Sequence, residues 1–154
     1  MDTRTPVGPA RLGRIASSIA ARQDEWIDLV HYDAASRWYR RLAGDDDHEV
    51  WLLSWLPGQQ TGFHDHGSSA GAFAVALGAL RERTAPGRRP ESAGTTLAAG
   101  SLRSFGPQYV HDIMNAAPEP AVSVHAYSPP LRGMRRYEIT TSGLLSAREP
   151  ERWW

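Results

Sequence analysis

Two histidines one residue apart, His64 and His66, stand in the stretch Gly58-Gln-Gln-Thr-Gly-Phe-His64-Asp-His66, and a third, His111, lies downstream with Asn115 four residues beyond it. In a β-strand, residues i and i+2 project from the same face. A His-x-His strand therefore aims two imidazoles at one point, and a returning strand can bring a third. Three neutral imidazoles meeting at one point make a metal site that keeps coordination positions open, as catalysis requires and closed structural zinc sites do not. The pattern predicts a metalloenzyme with His64, His66 and His111 as ligands. Ligand type by itself admits zinc, nickel or copper as well as iron, because the general affinity order does not favour iron.

A second row of polar groups follows near the C-terminal end. Val122, Val124 and Ala126 alternate with Ser123, His125 and Tyr127. As a strand, this segment puts three apolar groups on one face and a hydroxyl, an imidazole and a phenol in line on the other. Such a row can hydrogen-bond end to end, with Ser123 orienting His125 and His125 orienting the Tyr127 hydroxyl. Facing a metal, Tyr127 would serve as a hydrogen-bond donor or proton relay.

The elements that must position these groups change in character along the chain. Residues 10–43 read as a helical region: Leu12, Ile15 and Ile19 recur at helical spacing, Trp26, Leu29 and Val30 follow, and Trp38, Tyr39 and Leu42 share one side of a third short segment. Asp45-Asp46-Asp47 reads as a solvated turn. From Glu49 the texture is of short strands, with candidates at 49–56, 62–66, 71–80, 95–97, 101–105, 109–114, 120–127 and 136–140. Pro57-Gly58, Gly67-Ser-Ser, Pro86-Gly87, Pro107 and Pro118-Glu-Pro120 punctuate them as turns. Arg81 to Gly94 is polar and reads as a surface excursion, with Arg88-Arg89 solvated. The whole, residues 1–154, is expected to be one mainly β domain: a barrel over about 49–140 with an N-terminal helical region at one side. Trp51 and Trp55, four apart in a strand, share a face and should wall one side of a sheet. His31 and His48 read as surface residues, Asp65 as a structural residue facing away from its neighbouring histidines, and Trp153-Trp154 carry no assigned role.

Composition removes several chemistries. The chain has no cysteine and no lysine, so all 17 cationic side chains are arginine. Disulfide scaffolds, thiolate metal sites, thiol nucleophiles and Schiff-base lysines are excluded, and anion recognition falls to arginine, which suits bidentate carboxylate binding. Net charge is zero and the pI near 7, so no field gathers nucleic acid or an anionic membrane. No apolar run approaches the roughly 20 residues that span a bilayer, and the first residues lack the apolar core of a signal peptide. A cytoplasmic protein is expected.

The spacing resembles the two-part cupin pattern, whose fold is a double-stranded β-helix or jelly-roll barrel. Gly58, His64, His66 and Gly78 fall at the first motif's positions, with Gly71 where that motif has a glutamate ligand; His111 and Asn115 end the second, led by Gly100. Gly106-Pro107-Gln108 replaces its usual Pro-x-Gly. A cupin with three histidines and no glutamate is similar to the thiol dioxygenases, the family of cysteine dioxygenase, and Ser123-Val-His125-Ala-Tyr127-Ser-Pro-Pro resembles that family's Ser-x-His-x-Tyr-Ser-Pro-Pro signature.

The resemblance, over roughly residues 39–139, implies a mononuclear non-haem iron(II) enzyme that oxidises a small thiol with O2, L-cysteine to cysteine sulfinic acid first among candidates. Another thiol (3-mercaptopropionate or cysteamine) and a non-catalytic metal- or ligand-binding cupin are the alternatives. The family's carboxylate-binding arginine lies in a Tyr-x-Arg-Asn stretch; Tyr39-Arg40-Arg41-Leu42 matches it in part and makes Tyr39 and Arg41 the substrate-binding candidates, with Arg40 as a competitor. The cysteine that crosslinks the family's tyrosine in animal members aligns with Gly71, so no crosslink forms here. A monomer is expected, as in much of the family.

Overall fold

A computed structural model describes residues 6–151; Trp153 and Trp154 lie outside the described residues. One helix, α1 (Pro9–Ala21), precedes eleven strands among the described residues: β1 (Trp38–Gly44), β2 (Glu49–Trp55), β3 (His64–Asp65), β4 (Ala70–Leu77), β5 (Ala79–Thr84), β6 (Thr95–Ala98), β7 (Leu102–Phe105), β8 (His111–Met114), β9 (Ala121–Ser128), β10 (Met134–Ile139) and β11 (Leu145–Glu151). They form two antiparallel sheets, ordered β1-β2-β9-β4-β7 and β11-β10-β3-β8-β5-β6.

Alternation along β2, β4 and β9 divides the interior into two cores. One face of these strands presents Val50, Leu52, Ala72, Ala74, Val122, Val124 and Ala126 to α1, which answers with Leu12 and Ala16. The small alanines of β4 let the helix approach the sheet closely. The opposite face presents Trp51, Leu53, Trp55, Phe73, Val75 and Tyr127 to the other sheet, which contributes Leu80, Leu97 and Ile113. All eight residues of β9 are consequently buried, as expected of a strand covered on both faces. The six-stranded sheet on this side brings the histidine pair and the third histidine together, because His64 of β3 lies directly opposite His111 of β8.

Three expectations need correction. The helical region does not extend to 43: α1 stops at Ala21, short 3-10 turns occupy Gln23–Glu25 and Ile27–Leu29, and residues 38–44 are β1. Trp38 and Leu42, spaced i and i+4, share a face in a strand as readily as in a helix, and both pack against the helix-side core as strand residues. Nor is Arg81 to Gly94 all surface. Its first four residues complete β5, where Leu80 and Glu82 point inward and are buried. The third difference is β11, an edge strand pairing with β10 beyond the last expected strand. Among the described residues no helix is long and apolar enough to cross a membrane.

Candidate metal centre

His64, His66 and His111 are all buried, and one ring nitrogen from each lies within 4.8 Å of the others. The ring centroids are 4.9 Å apart for His64 and His66, 4.7 Å for His64 and His111, and 5.2 Å for His66 and His111. Backbone and side-chain acceptors fix two of the tautomers. His64 Nδ1 donates to the Gly62 carbonyl at 2.8 Å, and His111 Nδ1 donates to the Glu82 carboxylate at 2.8 Å. Each ring therefore turns its Nε2 toward the cluster, and both Nε2 atoms are buried with no hydrogen-bond partner among the described residues. Buried nitrogens normally find a partner, so this arrangement fits a cation held by three imidazoles. Burial, followed by neighbouring imidazoles, holds His64 and His66 well below the ordinary histidine pKa, which keeps them neutral and able to ligate.

Asp65, between the paired ligands, faces away from them as expected. It accepts the Tyr137 hydroxyl at 2.6 Å and the Gly67 amide at 2.9 Å, which braces the ligand strand. Gly71, at the glutamate position of the cupin pattern, is sterically committed to glycine. A Cβ there would sit 2.6 Å from the Phe105 ring and 2.9 Å from the Tyr127 ring. The motif's Asn115 takes a supporting part: its Nδ2 donates to the carbonyls of Trp55 and Glu119, and its Oδ1 accepts from Ala117.

Ser123, His125 and Tyr127 face the histidines in one buried row. Trp55 Nε1 lies 2.8 Å from Ser123 Oγ, Ser123 Oγ 2.7 Å from His125 Nε2, His125 Nδ1 3.3 Å from Tyr127 Oη, and Tyr127 Oη 3.4 Å from His66 Nε2. An indole nitrogen only donates. With Trp55 donating into Ser123 Oγ, the row has the atoms to pass hydrogen bonds from Ser123 through His125 to Tyr127 and on to His66. Burial also pushes the Tyr127 hydroxyl, with the Glu49 carboxylate nearby, well above its usual pKa, so it keeps its proton. His125 is held neutral by burial. The sequence row omitted Trp55, whose place opposite Ser123's strand only the β2–β9 register supplies.

The arginines divide differently from the sequence expectation. Arg41 lies 3.5 Å from Glu49 and leaves about half of its side chain exposed, while Tyr39 packs edge-on against Trp51. Arg37, one residue before β1, lies 5.5 Å over the Trp55 ring with its Nη1 buried and unpartnered among the described residues. Burial, then the cation of Arg136, lowers the Arg37 pKa to about 10, and its charge is felt at His64, His125 and Tyr127. Sequence reasoning also missed Glu82, whose carboxylate touches His111. In Arg81-Glu-Arg it looks like one more solvated charge, and only the alternation of β5 turns it inward.

The chain matches the cysteine dioxygenase type I family over residues 7–140 and belongs to that family. It is 25% identical to cysteine dioxygenase type 1 of Danio rerio over 138 residues, 82% of this chain and 68% of the relative. Among solved structures it resembles a double-stranded β-helix protein of Klebsiella pneumoniae, with TM-score 0.60, 24% identity, and 72% of this chain and 90% of the other covered. A cupin superfamily protein of Desulfitobacterium hafniense gives TM-score 0.54 at 11% identity, with 66% and 84% covered. These likenesses identify the fold as a cupin barrel.

Proposed function

We propose that this member of the cysteine dioxygenase type I family is a mononuclear iron(II) thiol dioxygenase acting on L-cysteine. The observation that carries the reading is the buried triad of imidazoles, two with orphaned Nε2 atoms, facing a tyrosine that holds its proton. Iron(II), held by His64, His66 and His111, would supply the redox chemistry by which both atoms of O2 add to a thiol sulfur, converting RSH to RSO2H.

The remaining work falls to the chain's own residues. Tyr127 holds a proton facing the cluster and donates it as a hydrogen bond to the reacting groups, while His125 and Ser123 fix the direction of that bond. Phe105, stacked 5.3 Å from His66, and Phe73, 5.3 Å from His125, shield the site from water. For the substrate carboxylate, Arg37 takes the role for which the sequence offered Arg41 and Tyr39: its buried, unpartnered nitrogen and its field at Tyr127 support it, whereas Glu49 already engages Arg41. A half-buried arginine with a buried guanidinium nitrogen favours a carboxylate-bearing thiol, cysteine or 3-mercaptopropionate, over cysteamine.

The test is anaerobic iron(II) loading followed by oxygen-uptake assays on L-cysteine, 3-mercaptopropionate and cysteamine in parallel, with sulfinate detected by mass spectrometry. Uptake with cysteine, matched by sulfinate, is expected. Preference for 3-mercaptopropionate would move the substrate assignment, and no uptake with any thiol despite bound iron would replace the reading with a ligand-binding cupin.

A further inference from the structure

Glu82 is the one carboxylate that touches a candidate ligand among the described residues, and nothing in the cupin pattern points to it. It lies on the inward face of β5, diagonal to His111 on β8, since Thr84 pairs with His111 and Glu82 with Ile113. Its side chain is 4% exposed. Two donors converge on it: His111 Nδ1 at 2.8 Å and Arg103 Nε at 3.1 Å, with Tyr109 beside them. Burial, then this carboxylate, pushes the Tyr109 hydroxyl above its usual pKa, as expected of a donor held against an anion. Tyr109 in turn stacks 4.7 Å from Phe105, and both rings pack against His111.

We propose that Glu82 is a positioning residue for the metal, and that Arg103 sets how much of its charge reaches the site through His111. The inference rests on the reading of the three histidines as metal ligands. A carboxylate that accepts from both His111 and Arg103 holds a His111 proton on Nδ1, aims Nε2 at the cluster and raises that nitrogen's donor strength. The first cupin motif would place a carboxylate among the ligands themselves, but Gly71 has no room for any side chain. Here the negative charge stands one residue back from the metal, which leaves a coordination position open while still compensating the cation. Arg103, 39% exposed, draws part of that charge away from His111.

The two residues should therefore act with opposite sign on the iron. Removing the carboxylate leaves the oxidised ion less compensated and raises the reduction potential; removing the guanidinium returns charge to His111 and lowers it. Glutamine at position 82 adds a specific conflict. Its amide oxygen can serve His111 only by turning its NH2 onto Arg103, and the reverse choice puts NH2 against His111 Nδ1–H.

The experiment uses the full chain loaded anaerobically with iron(II), measuring affinity by chelator competition and potential by redox titration, neither of which requires thiol turnover. Glu82→Gln should weaken iron binding about 10- to 100-fold and shift the potential upward. Arg103→Gln should shift it downward. Glu82→Gln with Arg103→Gln together should recover part of the lost affinity, because the donor conflict is gone. Glu82→Asp keeps the charge and should keep the potential close to that of the parent. Unchanged potential in Arg103→Gln, or shifts of the same sign in the two single variants, would overturn the proposal. If Glu82→Gln does not fold, the Arg103→Gln and Glu82→Asp potentials still decide it. Absence of dioxygenase activity with these shifts intact would count against the thiol reading alone.

Discussion

The face of β9 that meets α1 and the face that meets the six-stranded sheet are separated by a single backbone, yet they are built from different chemistry. On the α1 side stand Val122, Val124 and Ala126, within a largely aliphatic core whose buried indole, Trp26, donates to the Ile19 carbonyl. On the other stand Ser123, His125 and Tyr127, among aromatic rings and imidazoles whose polar atoms are bonded to one another. The helix-side core contributes burial, at roughly 25 cal/mol per Å² of apolar surface. The inner core accepts the cost of desolvating polar groups, and that cost is offset by the paired row and, in the proposed reading, by a metal. Stability and chemistry are thus carried by alternate residues of the same strands, and substitutions one position apart should separate them.

The largest effect is expected at the ligands. His111→Ala should abolish stoichiometric iron binding and thiol-dependent oxygen uptake while leaving the circular dichroism of the fold in place; retained iron at one per chain would remove His111 from the site. Next, Tyr127→Phe keeps the ring packing and deletes only the hydroxyl, and kcat should fall about 10²- to 10⁴-fold, as for a lost proton donor, with iron affinity retained. Equal rates for the two proteins would eliminate the donor role.

Smaller and more selective is the arginine pair. Arg37→Ala should raise KM for cysteine by about 10-fold or more, the worth of a charged hydrogen bond of roughly 1.5–3 kcal/mol, whereas Arg41→Ala should change it little. The reverse ranking would restore Arg41 as the carboxylate partner. On the helix side, Leu52 is fully buried against α1, and Leu52→Ala should cost about 2–5 kcal/mol of stability with no change in turnover per folded molecule. A matching fall in turnover would erase the distinction between the two cores.

The inner core should also be the part that feels pH. Folded His64, His66 and His125 have pKa values well below 6.5. Below about pH 6.5 the unfolded chain therefore binds protons that the folded chain refuses, and metal-free protein should lose stability as pH falls, by up to about 1.4 kcal/mol per pH unit for each histidine. Thermal melts of the metal-free chain from about pH 8 to about pH 5 should show this fall, and added metal should displace it to lower pH by holding two of the three imidazoles.

What the sequence revealed depended on whether spacing alone decided the geometry. His64, His66 and the Ser123–Tyr127 row were legible because an interval of two residues in a strand leaves one geometric outcome. Trp38 and Leu42 suit a helix as well as a strand because an interval of four is shared by both periodicities, and only pairing with β2 resolves it. Arg37 stands in a segment with Arg40 and Arg41, and its distinction is the ring of Trp55 beneath it, a contact between residues far apart in sequence. Glu82 was hidden by its neighbours: between two arginines, an inward carboxylate looks like an outward one until β5 is placed against β8.

The central claim, that this buried histidine site directs both atoms of dioxygen to a thiol sulfur, is tested most directly by isotope labelling. Iron(II)-loaded protein turning over L-cysteine under oxygen-18 gas in ordinary water should give cysteine sulfinic acid with both sulfinate oxygens labelled. A product carrying one labelled oxygen or none, or oxygen consumed with only cystine formed, would contradict it.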